Sequence, residues 1–145
     1  GFSVSTGIGT MPYAFVKLNI DGKDFIGTDY GVGPVDAALN AIQKITGQIS
    51  ELRIKDYGLA SISGGSTALC EVTIRVEDAH GNSVSAKSIG EDIVTTSVQA
   101  VIDGINRIML KKMLNEKQIG HWLNCYDNAF SSVSPFLIFT KLSIL

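Results

Sequence analysis

The sequence predicts an α+β fold of two pseudo-symmetric β-β-β-α units forming one domain, followed by an irregular C-terminal tail. Three observations carry this prediction. The chain repeats itself: Val16-Lys17-Leu18-Asn19-Ile20-Asp21 alternates apolar and polar residues as a half-buried strand does, and Val72-Thr73-Ile74-Arg75-Val76-Glu77 does so again 56 positions later. Beyond Gly22 and its counterpart Gly81 the match resumes at an offset of 59, setting Tyr30-Gly31 on Ile89-Gly90, Val35 on Val94, Leu39 on Val98 and Ile42 on Val101. Within each copy the apolar period then lengthens from two residues to three or four, the change from strand to helix. The three added residues, Asp78-Ala79-His80, fall in a hairpin, where an insertion leaves strand pairing and helix faces intact. Two copies of one unit would share a core. The units span about 2–47 and 49–112, leaving 113–145 as the tail.

Phe2-Ser3-Val4-Ser5-Thr6 reads as a short first strand, and Pro12, which has no N–H to give a ladder, delays the next strand to about Tyr13. That strand turns at Asp21-Gly22 and returns over Asp24–Tyr30 as a hairpin. Gly31-Val32-Gly33-Pro34 stops it and opens a helix, with Pro34 at the first helical position, where a missing N–H costs nothing. Val35, Ala38, Leu39, Ile42 and Ile45 form its apolar stripe, and Gly47 is the expected terminator. In the second unit, Glu51–Ile62 is a longer strand, Ser63-Gly64-Gly65-Ser66 a turn, and Ala68–Glu77 with Asn82–Ile89 a hairpin. Asp92 is a helix N-cap, followed by Val94, Val98, Val101, Ile102, Ile105, Ile108 and Met109 on one stripe.

The 145 residues, 45% apolar and 18% charged, supply one ordinary globular domain. A net charge of −2, with Lys111-Lys112 the only basic cluster, excludes a nucleic-acid or anionic-membrane surface. Phe136–Phe139 and the apolar end are too short and interrupted for a membrane span of about 20 residues. With no secretory signal at the start, a cytoplasmic location is expected. Cys70 and Cys125 lack metal-site or disulfide spacing, and Cys70 is expected to pack as a small apolar residue. The chain begins with Gly rather than Met and is expected to be a piece of a longer protein.

No catalytic centre and no metal site can be assembled. His80 and His121 have no placed partner, and Asp21, Asp24 and Asp29 do not have the spacing of a calcium loop. The backbone offers more. Gly31-Val32-Gly33-Pro34 precedes a helix, whose exposed N–H groups attract a carboxylate or phosphate. The second unit has Gly90-Glu91-Asp92 at that point, negative where the first is neutral. A ligand carrying both charges, such as an amino acid, suits the pair.

Taken in order, Gly31-Val32-Gly33-Pro34-Val35-Asp36-Ala37-Ala38, Asp56-Tyr57, Gly64-Gly65-Ser66-Thr67-Ala68-Leu69-Cys70-Glu71-Val72, Glu91-Asp92-Ile93 and Gly104-Ile105-Asn106-Arg107 resemble the C-terminal regulatory (allosteric, dimerisation) domain of the 2-isopropylmalate synthase and citramalate synthase family. The likeness covers about residues 2 to 110. It implies a homodimer that binds a branched-chain amino acid effector, leucine favoured for an isopropylmalate synthase, with isoleucine for a citramalate synthase as the alternative. A structural dimerisation module without effector binding is a further alternative. Effector-binding positions carried over are Gly31, Gly33, Pro34, Val35 and Asp36 at the first helix start, Ile54, Tyr57 and Ser61 on the long strand, and Ala68 after the glycine turn. The helix-start N–H groups would take the effector carboxylate, Asp36 or nearby carbonyls its ammonium, and Ile54, Tyr57 and Ala68 its aliphatic side chain. Val32 stands where many members carry Asn, and Ser61 is polar where an apolar or small residue often stands. The resemblance implies no cofactor in this chain, and a divalent metal and acetyl-CoA for an acyltransferase barrel lying outside it.

Overall fold

The computed structural model describes residues 1–62, 68–124 and 143–144. Strands β1 (Phe2–Gly7), β2 (Thr10–Ile20) and β3 (Lys23–Tyr30) lead into helix α1 (Pro34–Ser50); β4 (Arg53–Ile62), β5 (Leu69–Glu77) and β6 (Ser83–Gly90) lead into α2 (Ile93–Asn124), and a two-residue β7 (Ser143–Ile144) follows. The order β-β-β-α is thus present twice. Both sheets are antiparallel, ordered β1-β2-β3 and β4-β5-β6, with β7 paired to Leu18 and Asn19 of β2. The expected tight hairpin forms at Asp21 and Gly22, both at positive φ (55° and 76°), the two-residue turn whose twist matches its strands.

Alternation decides which face of each sheet is covered. Ala14, Val16, Leu18 and Ile20 of β2 are buried under α1, as are Val72, Ile74 and Val76 of β5 under α2. The two helices touch, and Ala37, Ala38, Ala41, Ile42 and Ile45 of α1 join Val98, Val101, Ile102, Ile105 and Ile108 of α2 in one contiguous core. The shared core expected of a duplication is present.

The structure corrects several details. Helix α1 does not stop at Gly47 but runs to Ser50, and Glu51 takes the left-handed C-cap conformation (φ 49°). Ile49 and Leu52 explain this: Ile49 packs against the core and Leu52 is buried, so the apolar stripe outlasts the glycine. Pro12 lies inside β2, which begins at Thr10, because the β1–β2 register shifts between Ser5 and Gly7 and such a bulge tolerates a missing donor. The long strand starts at Arg53. Asp92 caps α2 as expected, accepting the Thr95 N–H at 2.6 Å. Helix α2 continues to Asn124, well past Lys112, so the first part of the tail is helical rather than irregular. The Ser63–Ser66 turn, Cys125 and Phe136–Phe139 lie outside the described residues.

The strand alignment of the repeat also shifts. Val16 pairs with Gly27, and Ile74 with Ala86. Gly27 and Ala86 are counterparts at the offset of 59 that the helices also obey, since a Cβ on Gly27 would strike Ala41 and Ile45 of α1, while one on Gly104 of α2 would meet Ala86 at 3.6 Å. Val16 therefore corresponds to Ile74 rather than Val72. Asp78, whose N–H donates to Asn82 O at 2.9 Å, then corresponds to Ile20, and the second turn is one residue longer, Ala79-His80-Gly81 in place of Asp21-Gly22. A slip of two residues preserves inward and outward phase, so alternation cannot reveal it.

Candidate functional site

Helix α1 and edge strand β4 belong to different units, and the groove between them, about 300 Å³, brings together three of the candidate residues, Asp36, Ile54 and Tyr57. Asp36, Leu39 and Asn40 line it from α1, and Ile54, Lys55 and Tyr57 from β4. Residues i, i+3 and i+4 share one helix face, which puts Asp36, Leu39 and Asn40 side by side. On β4 the register shifts between Lys55 and Tyr57, with Asp56 at φ 31°. This bulge lets Ile54, opposite Val76, and Tyr57, opposite Ile74, face the same side although three positions apart.

Gln43 fixes the distance between the walls. Its side-chain amide donates to Leu52 O and accepts from the Ile54 N–H at 2.8 Å, so α1 grips the first residues of β4 through their backbone. Tyr57 is anchored at its other end, with its hydroxyl 2.9 Å from Ser97 Oγ on α2. Ser97 in turn donates to Ile93 O at 2.6 Å, leaving the Tyr57 hydroxyl as donor to Ser97. Tyr57 remains 41% exposed, in reach of a ligand.

The charged end lies at the start of α1. Gly33 is the N-cap residue and makes no side-chain cap. Gly31 N–H donates to Pro12 O at 3.0 Å, and Val32 N–H to Asp36 Oδ2 at 3.0 Å. First-turn donors Val35 and Asp36 have no intrahelical acceptor by helix geometry. The second unit shows what such a position accepts. Asp92, the counterpart of Gly33, holds its carboxylate on Thr95 N–H, the counterpart of Asp36 N–H, and the hydrogen bonds from Thr95 hold the Asp92 carboxyl below its ordinary range. The first unit thus leaves open a carboxylate position that the second fills with its own side chain.

Of the sequence-derived candidates, Asp36, Ile54 and Tyr57 meet in the groove, with Gly31, Gly33, Pro34 and Val35 adjoining it at the helix start. Ser61 and Ala68 do not join them. Ser61 sits opposite Cys70 near the far end of β4, and Ala68 lies exposed just before β5. Cys70 is buried and donates to Gly90 O. Leu39, Asn40, Gln43 and Lys55 are groove residues that the sequence reading missed, although the spacing from Asp36 marks Leu39, Asn40 and Gln43 as one helix face. A larger cavity of about 630 Å³ lies between the end of α1 and the second hairpin, but Glu51, Arg53, Lys55, Glu77 and Asp78 line it and no candidate residue does.

Asp78 has a structural task. Its buried carboxylate accepts His80 N–H and Asn82 N–H at 2.9 Å each and Asn82 Nδ2 at 3.1 Å, with Lys112 Nζ at 3.9 Å. Burial pushes its pKa up, but the hydrogen bonds and Lys112 outweigh this and the net shift is downward. Among the described residues no cluster of three His, Cys, Asp or Glu can hold a metal, and no helix is long and apolar enough to cross a membrane.

Residues 1–109 match the family profile described as the LeuA allosteric (dimerisation) domain. The 2-isopropylmalate synthase of Methanocaldococcus jannaschii is 44% identical over 110 residues, covering 76% of this chain and 21% of that protein. The probable 2-isopropylmalate synthase of Methanosarcina mazei is 42% identical over 110 residues with the same coverage, and the (R)-citramalate synthase CimA of Methanocaldococcus jannaschii 38% over 109 residues, 74% of this chain and 22% of that protein. The match spans about a fifth of the length of these curated relatives.

Proposed function

The chain belongs to the LeuA allosteric (dimerisation) domain family, and from that premise we propose that it is the feedback-regulatory domain of a 2-isopropylmalate synthase-type enzyme, acting as a homodimer and binding leucine in preference to isoleucine. The observation that carries this reading is the α1–β4 groove, which has Asp36, in the first turn of α1, at one end and Leu39, Ile54 and Tyr57 along its wall, next to a helix start that no side chain caps. An amino acid needs a donor set for its carboxylate, an acceptor for its ammonium and an apolar wall for its side chain. The helix-start N–H groups of Val35 and Asp36 take the carboxylate, the Asp36 side chain the ammonium, and Leu39, Ile54 and Tyr57 the aliphatic group. Leucine is favoured because the isopropylmalate synthase relatives cited have the higher identities. The citramalate synthase relative, at 38%, supports isoleucine as the second reading.

Regulation follows from linkage. An effector that binds one arrangement of the dimer more tightly shifts the population toward it, and a coupling of about 1–3 kcal/mol changes an attached enzyme's affinity 5- to 150-fold. The attached enzyme, in this reading, is a cytoplasmic acyltransferase condensing acetyl-CoA with a 2-oxo acid at a divalent metal, with its catalytic groups outside this chain. Calorimetric titration with leucine, isoleucine and valine tests the proposal. Saturable binding of leucine ahead of isoleucine supports it, and binding of none of the three reduces the domain to a structural module. Gly33→Asp sharpens the test, because a Cβ at Gly33 meets nothing within 4 Å and Asp is a good N-cap. The variant should fold and lose leucine, its own carboxylate having taken the site; unchanged affinity would place the effector elsewhere.

A further inference from the structure

We propose that the outer face of the β1-β2-β3 sheet is the surface on which two copies of this chain meet. This rests on the reading of the chain as a homodimer and adds where the contact lies. The face opposite α1 carries Tyr13 and Phe15 from β2 and Ile26 and Tyr30 from β3. Ile26 is 61% and Tyr30 55% exposed. The Tyr13 and Tyr30 rings lie 5.1 Å apart at 57°, forming an aromatic end. At the hairpin end, Lys17 and Asp24 form a 2.6 Å ion pair and Asn19 donates to Asp24 at 2.8 Å.

The second unit is an internal comparison at matched positions. Tyr13 pairs with Tyr30, Phe15 with Thr28 and Lys17 with Ile26; the corresponding pairs are Glu71 with Ile89, Thr73 with Lys87 and Arg75 with Ser85. Glu71, Thr73 and Ser85 therefore stand where the first sheet has Tyr13, Phe15 and Ile26, and Lys87 forms an ion pair with Glu71 at 2.8 Å. The fold itself does not need apolar side chains at these positions. A sheet face left in water is polar, and the β5–β6 face, with Ile89 as its one exposed apolar side chain, comes closer to this than the β2–β3 face.

Aromatic residues are enriched, and Lys and Glu depleted, in the cores of protein interfaces, and the first face, with three aromatic rings and one lysine, fits this better than the second. A second copy fits it better than an unlike partner for two reasons. The family is one of dimerisation domains. The patch also suits a two-fold axis: Lys17, which lies beside Ile26, is already neutralised by Asp24 within the chain, so the face does not repel itself. Two such faces stack about 10 Å apart, as packed sheets do.

Sedimentation equilibrium of the whole chain tests the surface. Phe15→Thr with Ile26→Ser transplants the second unit's residues and should weaken self-association at least about tenfold, equivalent to about 1.4 kcal/mol, with an unchanged circular dichroism spectrum. Ile89→Ser, on the other sheet, should leave it unaltered. A double variant that dimerises like the unmodified chain overturns the surface while leaving the dimer standing; an unmodified chain that is monomeric at every concentration overturns both. Should the double variant not fold, hydroxyl-radical footprinting of the unmodified chain decides. Tyr13, Phe15 and Tyr30 must be oxidised less at concentrations where the dimer dominates, and equal oxidation sinks the proposal. Amino-acid binding is read separately by calorimetry and stands or falls on its own.

Discussion

Asp36 Oδ2 lies 3.0 Å from the Val32 nitrogen and accepts its hydrogen bond, so the carboxylate in the first turn of α1 folds back over the loop that leads into the helix. Asn40 Nδ2 reaches the same oxygen at 3.4 Å and Tyr30 O at 3.0 Å, tying helix, loop and strand end together. Asp36→Asn keeps the shape and removes the charge. If this carboxylate receives the effector ammonium, leucine affinity should fall about tenfold, the equivalent of losing one charged hydrogen bond of about 1.5 kcal/mol. Calorimetry showing unchanged affinity would assign the ammonium to backbone carbonyls instead.

Tyr57 separates anchoring from contact. Tyr57→Phe removes the bond to Ser97 and should cost about 0.5–1.5 kcal/mol of stability in chemical denaturation, with leucine binding retained because the ring still forms the wall. Tyr57→Ala should abolish measurable binding. Equal affinity in Phe and Ala variants would remove Tyr57 from the site.

Gly31 and Gly90 end their third strands in the same way, each against the helix that follows, but they meet different atoms. A Cβ on Gly31 would overlap the backbone of Ala37, whereas one on Gly90 would overlap the Thr96 hydroxyl, a side chain that can turn away. Gly31→Ala is expected to lose about 3 kcal/mol or more, at the upper end for overpacked sites, and Gly90→Ala about 1 kcal/mol. Thermal unfolding midpoints in the reverse order would contradict the packing described.

The Asp78 carboxyl is held below its ordinary pKa in the folded chain, so it adds stability above the unfolded value, about 3.9, and loses it as pH falls through the folded value. Asp78→Asn should therefore destabilise the domain by about 1–3 kcal/mol near neutral pH, where a buried, multiply bonded acceptor is lost. The deficit should shrink as the pH is lowered below 4. Denaturant melts of both proteins from pH 7 to pH 2 give this comparison directly, and parallel curves would mean that Asp78 does not titrate with folding.

Strand and helix positions were legible because alternation and helical spacing report burial directly: Val16, Leu18 and Ile20 are inside, as are Ile42 and Ile45. What escaped the sequence were relations between elements. The two-residue slip between Val72 and Ile74 leaves every side chain on its own face, so only hydrogen-bond register exposes it. The groove was half visible. Asp36 and Tyr57 stand out as residue types, but Gln43 acts through a side-chain amide on the backbone of another unit, and no local spacing announces a partner 11 positions away. Gly47 does not end α1, because burial of Leu52 outweighs the weak helix propensity of one glycine.

The exchange of bulk between Gly27 with Ile45 and Ala86 with Gly104 also guards against misassembly. Each helix fits the sheet it follows: Ile45 needs the missing side chain of Gly27, and Ile74 and Val76 need the missing side chain of Gly104, with Ala86 in ordinary contact beside them. If α1 docked on the second sheet, Ile45 would be driven onto Ile74 and Val76; if α2 docked on the first, two glycines would face each other across a void. Duplicated units risk trading helices during folding, and here the wrong pairings are penalised in opposite ways, one by collision and one by emptiness.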